Sequence, residues 1–333
     1  MLLNQRIPFR FIFQKIKLEL LIVTLYVVVI GVVDENNWFD VAIPATVPTI
    51  LGTAISLLLA FRTNQGYQRW WEARIVWGAI VNDSRTLVRQ MLTFTHEYAS
   101  LLPEVYRQFA HRQIAFCYAL GSSLRKLDPL PTTEGLVNAD DQATLQRHDN
   151  VPNALLLLHG QDLHRMLEQG WVNEFQQVQL DSTVRRLCDS MGKCERIKNT
   201  VFPAAYNVII VTFIYLFVGS LPFALVESFG LGQIPIVIAV AAAFFLIEKT
   251  ALYLQDPFEN RPTDTPMTAI ARTIDINLRQ MIAEEEVPEK LQPEGYYLMW
   301  SIFLTCKYPL LCFNLRLTGG PCCCAVSWPC SLG

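Results

Sequence analysis

The sequence predicts an all-α membrane protein with four transmembrane helices and a large helical cytosolic domain. Three observations lead there. Of 333 residues, 52% are hydrophobic and 17% charged, whereas about a quarter of an ordinary soluble domain is charged. Four charge-poor stretches, 18–33, 41–61, 200–226 and 228–247, are long enough to cross or nearly cross a bilayer. Elsewhere, apolar and charged residues mix at helical rather than alternating spacing.

The first stretch is set by its flanks. Arg6, Arg10, Lys15 and Lys17 precede it without an acid, Glu19 stands at its entrance, and Asp34 to Asp40 follows with acids only. Basic before and acidic after predicts a cytoplasmic N-terminus. A cleaved signal peptide fits worse, because the apolar run is long and no small-x-small cleavage site follows Val33.

The second stretch, Val41 to Phe61, has 21 residues and no charge, a reach of ~30 Å as a helix. It runs straight into a polar helix whose arginines, Arg62, Arg69 and Arg74, are expected among lipid phosphates, with Tyr67, Trp70 and Trp71 at the interface. Its hydroxyls, Thr46, Thr49, Thr53 and Ser56, are spaced 3, 4 and 3 apart and share one helical stripe. Such a stripe either packs against neighbouring helices or faces water.

Residues 62–199 read as a cytosolic body. Leu87–Leu92, Phe109–Leu120, Leu155–Met166 and Val178–Leu187 have helical spacing, while Pro129–Gly135 and Asp140–Pro152 read as loops. The last two apolar stretches are separated by Glu227 and a glycine-rich turn over Phe229–Gln233, so they form a hairpin. Lys193, Arg196 and Lys198 before it and Lys249 after it place both termini in the cytoplasm of a multi-pass inner-membrane protein. Residues 248–298 return to the cytosolic body. The tail, 299–333, holds six of the nine cysteines and no assignable fold. Metal binding or acylation would suit so many cysteines, but no histidine or CxxC pairing supports a metal, and an unstructured end is the simpler reading.

Catalytic motifs are missing: no P-loop, no strand-borne glycine pattern for nucleotides, no GxSxG. His159 and His164 lie five apart, ~140° around a helix, where a zinc pair needs four. The spans carry no central acid or base for a proton relay. The expectation is therefore no enzyme, no cofactor, no metal, and, at net charge −3, no nucleic-acid partner.

The run Phe61-Arg-Thr-Asn-Gln-Gly-Tyr-Gln-Arg-Trp-Trp-Glu-Ala-Arg74, continued by Trp77–Arg85 and Arg89-Gln90, resembles the bacterial bestrophin homologues. So do Cys194-Glu-Arg196, Pro222-Phe-Ala-Leu225, Glu248-Lys249 and Asp256-Pro-Phe258, and the likeness covers about residues 5–298. The resemblance implies a homopentameric ion channel with one axial pore and a cytosolic vestibule, its partners being itself, membrane lipids and small inorganic ions. It implies a hydrophobic neck at Thr53, Leu57 and Phe61, with Thr46, Thr49 and Ser56 also lining the pore. It also implies a cytosolic aperture at Phe175 with Glu174 beside it; the alternative for Phe175 is a helix-core residue. Thr53 departs from the bulky apolar residue usual in the family, which makes the neck's outer end wider. Animal members build a calcium site on a dense acidic run, but here Arg261 interrupts Asp256–Asp264, so calcium activation is not expected. The expected activity is passive conduction of small monovalent ions, chloride slightly favoured. A sodium-selective channel of the same fold and a non-conducting structural or receptor-like assembly are the alternatives.

Overall fold

In the computed structural model, residues 13–36, 43–99, 102–200 and 204–292 are described; Arg6, Arg10, Phe202 and the cysteine-rich tail lie outside them. Among the described residues there are nine α-helices and no strand. These are α1 (Lys17–Glu35), α2 (Thr46–Phe94), α3 (Pro103–Leu124), α4 (Ala139–Leu145), α5 (Val151–Glu168), α6 (Glu174–Asn199), α7 (Ala204–Phe229), α8 (Gln233–Gln255) and α9 (Met267–Met281).

Prolines and asparagines mark where these helices begin. Pro103 and Pro152 sit in the first turns of α3 and α5, where a missing N–H costs nothing. Asn138, Asn150 and Asn173 accept hydrogen bonds from the third residues of α4, α5 and α6. At α6 the Gln176 side chain returns the bond and completes a capping box. α2 runs unbroken for 49 residues. It stops where the Thr95 hydroxyl turns back to the Met91 carbonyl, 2.8 Å away. Gly230, at φ 50°, opens the one-turn 3₁₀ segment Gly230–Gly232 that reverses the chain between α7 and α8.

Two hydrophobic cores result. Val23 and Val27 of α1, Ile55 and Leu59 of α2, Ile210 and Ile214 of α7 and Val237 and Phe245 of α8 make one. Trp77, Leu87 and Met91 of α2 make the other with α3, α5, α6 and α9. Among the described residues, only α2 contributes long stretches to both. In the first core, α1 is tied down by polar contacts as well: Tyr26 donates to the Gly219 carbonyl at 2.7 Å, and Glu19 pairs with Lys249 at 2.9 Å.

Two helical stretches, Thr46–Phe94 and Ala205–Gln255, are long and apolar enough to cross a membrane. The second comprises α7 and α8 on either side of the glycine turn. α1 is as long as a short span but is bracketed by Lys17, Glu19, Asp34 and Glu35. It turns Leu18, Leu21, Leu25, Val29 and Val32 outward on one uncovered apolar face.

Two expectations are corrected. Val41 and Ala42 lie outside the described residues, and the helix over the second apolar stretch starts at Thr46, after a turn in which the Pro44 carbonyl accepts the Val47 amide at 3.0 Å. Asp140–Pro152 is not a loop: it contains α4 and the start of α5. Those helices are fixed by the Asn138 and Asn150 caps and by Asp141, which receives two hydrogen bonds from the buried Arg112.

Candidate functional site

Residues 46–61 of α2 have two unlike sides. Pro48, Ile55 and Leu59 are buried, and Arg62 and Gly66 continue that side one turn on. Thr46, Thr49, Thr53, Ser56, Leu57 and Phe61 are all exposed in the single chain. At 100° per residue the exposed six span about 140°, and the buried five centre roughly 160° around from their middle. The buried side is built for close approach. A Cβ on Gly66 would stand 3.0 Å from the Ala251 carbonyl oxygen of α8, and one on Gly52 would meet the Phe217 ring at 2.9 Å.

The exposed side is neutral and three of its hydroxyls are spoken for. Thr49, Thr53 and Ser56 each donate to the carbonyl of the fourth residue before, at 2.7, 2.8 and 2.7 Å. Their protons point along the helix, and the oxygen lone pairs face outward. Leu57 and Phe61 are 58% and 55% exposed, which in water would cost about 1 kcal/mol or more each. Their neighbour Leu58 is half-buried against the first core. The same sector also takes in Ile50, 69% exposed, and runs on through Asn64, Gln68, Trp71 and Ile75, all exposed. Sequence reasoning missed these because it followed hydroxyls inside one charge-free run. The helical period carried past Phe61 finds them.

The arginines after Phe61 are not where the sequence reading put them. Arg62 is fully buried: Nη2 donates to Asn207 Oδ1 of α7 at 2.6 Å, and Nη1 lies 3.4 Å from Glu248 Oε1 of α8. It is a clamp inside the protein, one residue past Phe61 and on the packed side. Arg69 donates to three backbone carbonyls, those of Gln255, Thr200 and Ile197. It so covers the orphan carbonyls where α6 and α8 end. Trp70 Nε1 donates to the Thr263 carbonyl at 2.8 Å, and Glu72 pairs with Arg196. The motif around 61–74 is thus a set of joints between α2 and its neighbours.

Phe175, the second residue of α6, lies within its capping box and is 87% exposed, so it is no helix-core residue; Glu174 beside it is exposed too. The acidic segment after α8 is occupied by cations of the protein itself. Asp256 is 2.6 Å from Lys198 Nζ, Glu259 pairs with Arg261, and Asp264 accepts the Arg261 amide at 2.9 Å. Burial pushes the Asp264 carboxyl up to about 6, against the pull of Arg261. Among the described residues no group of His, Cys, Asp and Glu is placed to hold a metal. His159 is buried edge-on against Phe109, 4.5 Å between centroids, and kept neutral by burial and by Arg112. His164 is exposed and pairs with Glu168.

The sequence matches the family model described as Bacterial/Fungal Bestrophin protein over residues 9–280. The voltage-dependent anion channel-forming protein YneE of Escherichia coli O157:H7 is 33% identical over 249 residues, 75% of this chain and 80% of that one. A protein of the same description from Ralstonia nicotianae is 30% identical over 264 residues, 79% and 86% of the two chains. The crystal structure of a bacterial bestrophin homologue from Klebsiella pneumoniae superposes with a TM-score of 0.75 at 28% identity, covering 81% of this chain and all of that one.

Proposed function

The chain belongs to the bacterial and fungal bestrophin family, and on that premise we propose that it is a passive ion channel, formed by five copies around one axis and conducting small monovalent anions such as chloride. Its relatives are named as channel-forming proteins, not enzymes. The observation that carries this reading is the neutral exposed side of α2, set opposite the side that packs. A single copy leaves that side in solvent; a ring of copies turns it inward and encloses a path. Four helical spans, with α1 and the α7–α8 hairpin packed around the first half of α2, hold each copy in the inner membrane with both termini in the cytoplasm.

In that ring, Leu57 and Phe61 form a constriction narrow and apolar enough to dewet, and Thr53 its wider outer end. Thr46, Thr49 and Ser56 line the approach. Phe175, fully outside any core, forms the cytosolic aperture with Glu174 at its edge.

Two observations favour a second reading, conduction of sodium. The stripe hydroxyls spend their protons on the backbone and present oxygen lone pairs, and Glu174 adds an exposed carboxylate to each copy. The purified protein in planar bilayers under a NaCl gradient separates the two. We expect a reversal potential displaced toward the chloride equilibrium value; displacement toward sodium establishes the second reading. Absence of current, together with a stable monomer or dimer in native mass spectrometry, overturns both.

A further inference from the structure

Where the two cores meet, the ends of α3, α6 and α8 and the middle of α2 surround an open cavity of about 670 Å³. Its lining is strongly basic. Arg69, Arg125, Lys126, Lys198 and Arg261 face it against only two carboxylates, Asp256 and Glu259, an excess of three positive charges. The carboxylates are already committed: Lys198 stands 2.6 Å from Asp256 and 3.9 Å from Glu259, and Arg261 also pairs with Glu259. Arg69 satisfies its N–H groups on backbone carbonyls, and Asp256 and Glu72 act on its charge without a direct ion pair.

Arg125 and Lys126 remain. Arg125 Nη1 donates to Thr268 Oγ1 at 2.7 Å, but its buried Nε and Nη2 have no hydrogen-bond partner. Buried donors of a charged group left unmatched are costly, and turning that edge toward the cavity would let the guanidinium fork take an oxyanion with two parallel bonds. Lys126 follows at φ 60°, a left-handed turn off the end of α3, with its side chain exposed. A further sign of crowded positive charge lies at the same corner: Arg261 and Lys15 both rest over the Tyr253 ring, at 4.7 and 4.0 Å.

We propose that this cavity binds a phosphate group, gripped by Arg125 and Lys126 with the charge of Arg69 behind them. Thr200 and Asn207 supply neutral polar edges to the same space. Three excess charges and an unmatched guanidinium edge suit a phosphate ester better than a halide, which offers no second oxygen to the fork. The group has two sources. The cavity lies where the apolar helices α7 and α8 give way to charged chain, the depth of a lipid headgroup, and it is open enough for a soluble phosphate.

The test uses full-length protein in detergent. Native mass spectrometry measures retention of dioleoylphosphatidylglycerol against dioleoylphosphatidylcholine, and equilibrium dialysis measures inorganic phosphate. The variants are Arg125→Gln with Lys126→Gln, Lys126→Glu alone on its exposed side chain, and Arg147→Gln with Lys290→Gln as a control that removes two charges elsewhere. We expect saturable binding of at least one probe by the wild type, weakened about tenfold or more by both cavity variants and unchanged in the control. Preference for phosphatidylglycerol assigns the lipid source, and binding of inorganic phosphate the soluble one. Failure of both probes to bind, or cavity variants that bind like the wild type or the control, overturns the proposal. It stands apart from ion conduction: the reversal potential is measured independently, so either result can fail alone.

Discussion

The two halves of α2 are one unbroken helix in two kinds of company. Residues 62–94 sink Ala73, Val76, Trp77, Ile80, Leu87 and Met91 into a core that α3, α5, α6 and α9 close from several sides. Polar joints brace the same half: Asp83 with Arg186 at 2.8 Å, Arg85 donating to Asn277 at 2.6 Å. Residues 46–61 bury one narrow side and leave the other bare, apolar residues included. Past Ile75 the second half is thus finished within a single chain, whereas the first leaves a whole apolar side unpacked. Identical chemical changes in the two halves should therefore have unlike effects.

The largest contrast pairs Trp77→Ala with Leu57→Ala. Trp77 is fully buried in the finished half, and its truncation should cost about 3–5 kcal/mol and sharply reduce folded protein. In the proposed ring, Leu57→Ala should leave yield and melting temperature near wild type while raising conductance, because five side chains would shrink around one axis. Leu58→Ala, on the half-buried side, should lower stability without a gain in flux. Matching behaviour of Leu57→Ala and Leu58→Ala in melts and single-channel records would abolish the distinction between the sides.

A smaller effect is expected at Arg62, where the halves join. Arg62→Met leaves the buried Glu248 with only Lys249, 3.9 Å away, as a cation, and should cost about 3 kcal/mol. Arg62→Met with Glu248→Met should recover most of that loss, since no buried charge is then left over. A double variant no more stable than the single in thermal melts would show that Arg62 acts through Asn207 instead.

The smallest is a pH effect at Asp264, in the loop whose Thr263 carbonyl receives Trp70. The folded protein holds the Asp264 proton more tightly than the unfolded chain, about 6 against 3.8. Its contribution to stability is therefore fully present below pH ~4 and is lost as pH rises through ~6, at no more than about 1.4 kcal/mol per pH unit between the two values. Asp264→Asn, which retains the acceptor for the Arg261 amide, should flatten the melting temperature between pH 4 and 6. An unaltered slope would assign the titration to another carboxyl.

What the sequence made legible follows the range of the forces involved. Helical class and the stripe from Thr46 to Phe61 depend on composition and on a 3.6-residue period, both local, and the helices confirm that those six residues share an exposed side. The role of Arg62 was not legible, because its partners Asn207 and Glu248 lie 145 and 186 residues away. A charge after an apolar run looks the same whether lipid phosphate or a buried carboxylate awaits it. α4 escaped notice for another reason: seven residues, four of them polar, are too few to show a periodicity, and the helix is held by its Asn138 cap and the grip of Arg112 on Asp141. Phe175 was placed by resemblance alone, and its exposure excludes a core role without fixing what it faces.

The length of α2 has a mechanical consequence. A rod of 49 residues, ~73 Å long, is pinned at Arg62 about a third of the way along, with arms of ~24 and ~48 Å. Tilting about that fulcrum swings the tip at Thr46 through half the distance travelled by the far end near Phe94, and Phe61, beside the pivot, scarcely moves. In the proposed ring of copies, a rocking rod would widen the mouth and leave the constriction at Phe61 closed. Opening that constriction requires the rod to roll about its own long axis, or the phenyl groups to swing aside on their own bonds.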